Sequence, residues 1–180
     1  TNNPSTIAAT LAKLRRGIGK EPGSQPELWE VTLDGLPESL QGNDERPSFG
    51  ERAVHTALTL FALHQQGKDI KEKCMSEPDT TLGEAIRQMI RRNPDREAAI
   101  KRRFMAAVTA DSYEELVWHL RGLVQLLRAA EVKLDYPLLA KELYRYQFPG
   151  NRDRIRLQWG RQFYWQPSEE RSDKKSNDKE

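Results

Sequence analysis

Along nearly the whole chain, apolar residues recur every three or four positions, and no stretch shows the one-in-two alternation of a half-buried strand. An α-helix turns once in about 3.6 residues, so such spacing gathers apolar side chains on one face of a helix. A chain built this way can bury those faces only by packing helix on helix. The fold class that follows is all-α, a compact multi-helix bundle. At 180 residues the chain suits one domain or two small helical lobes.

Local signals divide the chain into helices. Ser48-x-x-Glu51, Thr81-x-x-Glu84 and Ser112-x-x-Glu115 each match a capping box. In that motif the hydroxyl accepts from a free backbone N–H and the carboxylate reaches back to the cap. The spacing predicts a first helix over 6–16, with Ile7, Leu11 and Leu14 in one stripe, and a short helix after Pro26. A long loop over 35–47 precedes the most apolar helix, 48–66. That helix has no charge between Arg52 and Lys68, so it should be buried on most sides. Helices over 82–92 and 96–108 turn at Asn93-Pro94-Asp95. The longest helix, 113–131, has Leu116, Leu120, Leu123 and Leu127 in register. Pro137 opens a helix to about residue 146, and a last one over 151–164 spaces Ile155, Trp159 and Phe163 four apart. The folded part is expected to cover 6–165, with a lobe boundary near 109–112. Residues 1–5 and the Ser-, Lys-, Asp- and Glu-rich 166–180 are expected to be disordered.

Net charge is only +2, but its sign changes along the chain. Residues 21–51 hold eight acids and one base, a balance of −7. Residues 87–103 hold seven bases and two acids, +5, and residues 145–161 five bases and one acid, +4. The bases are mostly arginine, whose planar fork fits phosphate oxygens. Arg87 with Arg91, and Arg152 with Arg156, are spaced four apart, so each pair should project from one helix face and could meet successive phosphates. Charged faces of this kind can equally be solvated surface, or pair with carboxylates on a neighbouring helix.

Known catalytic patterns are missing. His55, His64 and His119 form no metal-binding pair, and Cys74 is the only cysteine, which fits a reducing cytoplasm and excludes an internal disulfide. His55 and His64 lie on the apolar helix and read as hydrogen-bonded core residues, while His119 follows Glu115 by four as a surface pair. No phosphate-binding glycine loop and no nucleophile elbow occurs. The expectation is no catalytic residue, no metal, no cofactor and no small-molecule substrate. Trp159 and Phe163 read as core, whereas Tyr164 or Trp165 could be exposed for base stacking. The start, 1–6, lacks the order of a signal peptide, and the longest uncharged stretch, 53–67, is shorter than a bilayer span, so a soluble, cytoplasmic protein without membrane contact is expected.

Several short segments resemble one family in order and spacing. They include Leu11-Ala12-Lys13-Leu14-Arg15-Arg16-Gly17, Pro26-Glu27-Leu28-Trp29, Thr81-Leu82-Gly83-Glu84-Ala85 and Lys101-Arg102-Arg103-Phe104. Further on come Leu120-Arg121-Gly122-Leu123-Val124, Asp135-Tyr136-Pro137-Leu138-Leu139-Ala140 and Arg156-Leu157-Gln158-Trp159-Gly160. Over about 150 residues the chain is similar to the CasB family, the small subunit of the type I-E CRISPR Cascade complex. The resemblance implies an all-helical, non-catalytic subunit of two small lobes. Its partners would be the backbone and large subunits, a second copy of the same chain, crRNA, and the target or displaced DNA strand. Its basic surface would hold DNA once guide pairing has opened an R-loop. The basic positions carried over are Arg15, Arg16, Arg102, Arg103, Arg121 and Lys141. Glu84 stands where some relatives have a base, so Arg87 and Arg91 are expected to take up that part of the path. A structural adaptor whose charges meet only protein, and a helical hydrolase, are the competing readings.

Overall fold

The computed structural model describes residues 3–43 and 45–165. Among these, eight α-helices and no strand are formed: α1 (Pro4–Arg16), α2 (Trp29–Thr32), α3 (Phe49–Gln65), α4 (Leu82–Arg92), α5 (Glu97–Val108), α6 (Tyr113–Ala130), α7 (Tyr136–Tyr146) and α8 (Arg152–Tyr164). Short 3₁₀ turns occupy Pro26–Leu28, Glu38–Leu40 and Pro94–Arg96. The helix starting after Pro26, the long 35–47 connection and the 82–92 helix agree with the spacing. Helix α1 begins earlier than expected, because Asn3 caps it by accepting from the Ser5 N–H and Pro4 takes the first turn. Asn3, Pro4 and Ser5, expected to precede the folded part, therefore cap and open α1. The tail expected to be disordered, 166–180, lies outside the described residues.

One of the three capping boxes closes fully. Ser48 Oγ accepts from the Glu51 N–H, and Glu51 accepts from the Ser48 N–H at 2.8 Å. Thr81 and Ser112 each cap their helix, but the carboxylates go elsewhere. Glu84 accepts from Gln88 at 3.4 Å, and Glu115 from the Asp111 N–H at 2.8 Å.

Helix α3 is the hub, packing on α1, α6 and α7, while α4 packs on α8, α5 and α6. Leu60, Leu116, Leu120, Leu123, Leu127 and Trp159 are fully buried in a main core running from α3 to α8, and Ala110, in the α5–α6 turn, belongs to it. Burying each large side chain contributes about 1.5–3 kcal/mol. A smaller cluster joins Leu14, Leu28 and Ala62. Gly83 lets α4 lie against α8: a Cβ there would sit 2.5 Å from the Phe163 backbone nitrogen. The buried Gln65 side chain fixes the α3–α4 connection, donating to the Lys68 and Lys73 carbonyls and accepting from the Met75 N–H. Val54, Leu58 and Phe61 form a face of α3 that is not fully covered, and with Tyr136, Pro137 and Ala140 they line a shallow apolar groove. Among the described residues no helix is long and apolar enough to cross a membrane.

Candidate nucleic-acid interface

Helices α5 and α6 are antiparallel neighbours joined by the short 109–112 turn. On α5, Ile100, Phe104 and Ala107 point into the core, which turns Arg102 and Arg103 outward. On α6, Leu116, Leu120, Leu123, Val124 and Leu127 do the same and leave Trp118, Arg121 and Gln125 outside. The two outer edges meet in a groove lined by Arg102, Arg103, Ala106, Trp118, His119, Arg121, Gly122 and Gln125. Its lining has three guanidinium groups and no carboxylate. Arg102, Arg103 and Arg121 are exposed, and no hydrogen bond or ion pair holds them among the described residues. Gly122 leaves room for Arg103: a Cβ at that glycine would stand 3.6 Å from Arg103 Nη1. His119 lies 3.6 Å from Glu115 and forms a T-shaped pair with Trp118, ring centroids 4.9 Å apart.

The other predicted positions do not join this groove. Arg87 donates to the Gln162 carbonyl at 3.4 Å and to the Trp165 carbonyl at 2.9 Å, so it caps the C-terminus of α8. Arg152 donates to the Asp111 carbonyl at 2.8 Å with its guanidinium over the Tyr146 ring, 5.1 Å from the centroid. Arg156 donates to the Ala110 carbonyl at 2.6 Å and pairs with Asp153 at 3.2 Å. The 152/156 pair does project together, but onto the α5–α6 turn. Arg91 lines a second depression with Arg87, Lys101 and the exposed Tyr164. Lys101 there is paired with Glu97 at 2.5 Å. Arg15 and Arg16 end α1, which packs on α3, and Lys141 is exposed on α7, which packs on α3 and α8.

Trp118 escaped the sequence reading. It is 70 % exposed, the most exposed large apolar side chain among the described residues. The available signal was its register: it falls midway between Leu116 and Leu120, off the apolar stripe of its own helix. Tyr164 and Trp165 are exposed, at 62 % and 63 %, while Trp159 and Phe163 are core.

The buried ionisable groups are engaged inside the fold. His55 Nε2 lies 3.1 Å from the Gly17 carbonyl, and His64 Nδ1 lies 2.9 Å from the Tyr136 hydroxyl. Burial, reinforced by Lys68, holds the His64 imidazole down at about 4. Burial pushes the Glu142 carboxyl up; its oxygens accept from Trp159 Nε1 and Gln158 Nε2, both at 2.8 Å. Burial likewise pushes the Tyr113 hydroxyl up to about 12. Among the described residues no three His, Cys, Asp or Glu side chains converge as a metal site.

The profile of the family described as CRISPR-associated protein Cse2 matches residues 10–164. The crystal structure of CasB from Thermobifida fusca is similar at 35 % identity, covering 91 % of this chain and 87 % of that one, with a TM-score of 0.70. A CRISPR-associated Cse2-family protein of Thermus thermophilus (22 % identity, coverage 88 % and 86 %, TM-score 0.66) shares the fold. So does CasB of M. ruber (21 % identity, coverage 100 % and 92 %, TM-score 0.63). No curated protein matches significantly. With the family profile spanning nearly every described helix, and a CasB at this identity aligned over most of both chains, the chain belongs to the CRISPR-associated Cse2 (CasB) family.

Proposed function

We propose that this chain is the non-catalytic small subunit of a type I-E Cascade complex, and that its α5–α6 groove holds a nucleic-acid backbone and so stabilises the R-loop. The observation that carries this reading is the convergence of Arg102, Arg103 and Arg121 in a groove without a carboxylate. Each guanidinium that meets a phosphate releases condensed cations, which favours binding regardless of sequence. Guide pairing would read the sequence, and because duplex opening is nearly balanced in energy, a few backbone contacts can decide whether the open state persists. Arg15, Arg16, Arg91 and Lys141 would extend the path on neighbouring elements. The partners in this reading are the backbone and large subunits, a second copy of the chain, crRNA and the target or displaced strand.

A purely structural adaptor is favoured by one observation, the apolar groove around Val54, Leu58 and Phe61. Replacing Arg102, Arg103 and Arg121 together by Ala separates the readings. Lost DNA binding with intact assembly supports the nucleic-acid groove; unchanged DNA binding with failed assembly supports the adaptor.

A further inference from the structure

We infer that Trp118 is a stacking platform for an unpaired base, so that the α5–α6 groove takes single-stranded in preference to double-stranded nucleic acid. The inference rests on the groove reading above and adds to it the state of the strand. A large indole in water is costly unless something covers it, and Trp118 has 70 % of its surface exposed. Its surroundings are not those of an apolar protein contact. It shares its groove with Arg102, Arg103 and Arg121, and the other lining groups are small or polar. Three cations beside one flat aromatic match a single strand, which presents phosphates and a free π-face within one nucleotide's reach. A duplex presents the phosphates but keeps its bases stacked inside. His119 and the indole form a T-shaped pair at an interplanar angle of 78°, which helps to steady the ring.

The test uses the full chain and three probes of equal length: oligothymidylate, its abasic counterpart and a duplex. Trp118→Ala is expected to weaken oligothymidylate binding by about 5- to 150-fold, and to leave the abasic strand and the duplex unchanged. Trp118→Phe should keep most of the affinity. Stacking is not ionic, so Trp118→Ala should leave the slope of log affinity against log salt unchanged, whereas each lost phosphate contact lowers a single-strand slope by about 0.7. Because the indole is exposed, both variants should keep the parent's helical signal and melting temperature. Equal oligothymidylate binding by parent and Trp118→Ala overturns the stacking role, as does an equal loss on all three probes. If the Arg102/Arg103/Arg121→Ala variant binds oligothymidylate as well as the parent, the groove reading fails separately. A parent that binds none of the probes overturns both.

Discussion

The arginines of this chain divide by what their guanidinium groups meet. Arg92 donates to the Ala130 and Glu131 carbonyls at 2.7 and 3.0 Å, and Arg87 to those of Gln162 and Trp165, so each closes the end of a neighbouring helix where carbonyls lack partners. Arg156 shares the Ala110 carbonyl with the Tyr146 hydroxyl. Arg156→Ala should therefore cost about 1–2 kcal/mol in a denaturant melt, as a charge-assisted bond is lost beside the core. Arg102→Ala should stay within about 0.5 kcal/mol of the parent, because nothing in the fold depends on it. The buried imidazoles add a pH dependence. An unfolded His64 titrates near its ordinary value, while the folded one resists protonation down to about 4. As pH falls through 6.5 the unfolded state therefore gains a proton that the folded state refuses, and stability drops, by about 2 kcal/mol at pH 5. His55, also lowered by burial, acts in the same direction. Glu142, raised by burial, opposes them at the acid end of the window. Melts at pH 7 and pH 5 should show the decline in the parent and a shallower one in His64→Gln.

At the scale of elements, most of the fold was legible because each helix announces itself locally. The bounds of α4 follow from Thr81 and Asn93 and the start of α6 from Ser112, whereas α6 ends at Ala130 because Glu131 takes a left-handed conformation that its residue type does not announce. What spacing could not supply was how the elements cross. Gly83 reads in sequence as a weak helix residue, yet it marks the closest approach of α4 and α8, where a methyl group would meet the Trp159 carbonyl at 2.7 Å and the Phe163 nitrogen at 2.5 Å. Gly83→Ala removes a poor helix former but forces two helices apart. The steric term should win, with a net loss of about 1–3 kcal/mol in thermal unfolding. The candidate site was legible only in part. Arg102, Arg103 and Arg121 lie in the segments that carry the family resemblance, which is what singled them out, and the α5–α6 turn brings them together. The destination of Arg87, Arg152 and Arg156 was not legible, because a backbone carbonyl leaves no mark in a sequence. Acidic partners were the alternative that residue types could suggest; carbonyls took most of these bonds.

At the scale of the whole molecule, net charge says little about binding, since +2 is what remains of large opposed regions. The fold keeps those regions partly apart. The acidic stretch lies in the connections around α2, where Glu21 pairs with Arg52 at 3.7 Å, and Arg52 in turn holds Glu114 at the start of α6. That arrangement pairs acids at the start of α6, and the groove itself is lined by three arginines and no carboxylate. A groove of this kind acts locally, because at physiological salt charges separated by more than about 8 Å are largely screened. Binding should then follow the number of phosphates seated there and not the overall charge. If three guanidiniums each seat one phosphate of a single strand, the Arg102/Arg103/Arg121→Ala variant should lower the log–log salt slope by about 2 relative to the parent. A control that removes the same three charges elsewhere, Lys13, Lys20 and Arg154 to Ala, should leave the slope within about 0.5 of the parent, since none of those side chains lines the groove. Equal slopes for the two variants would mean that the protein attracts the strand as a diffuse charge, and the groove would lose its role.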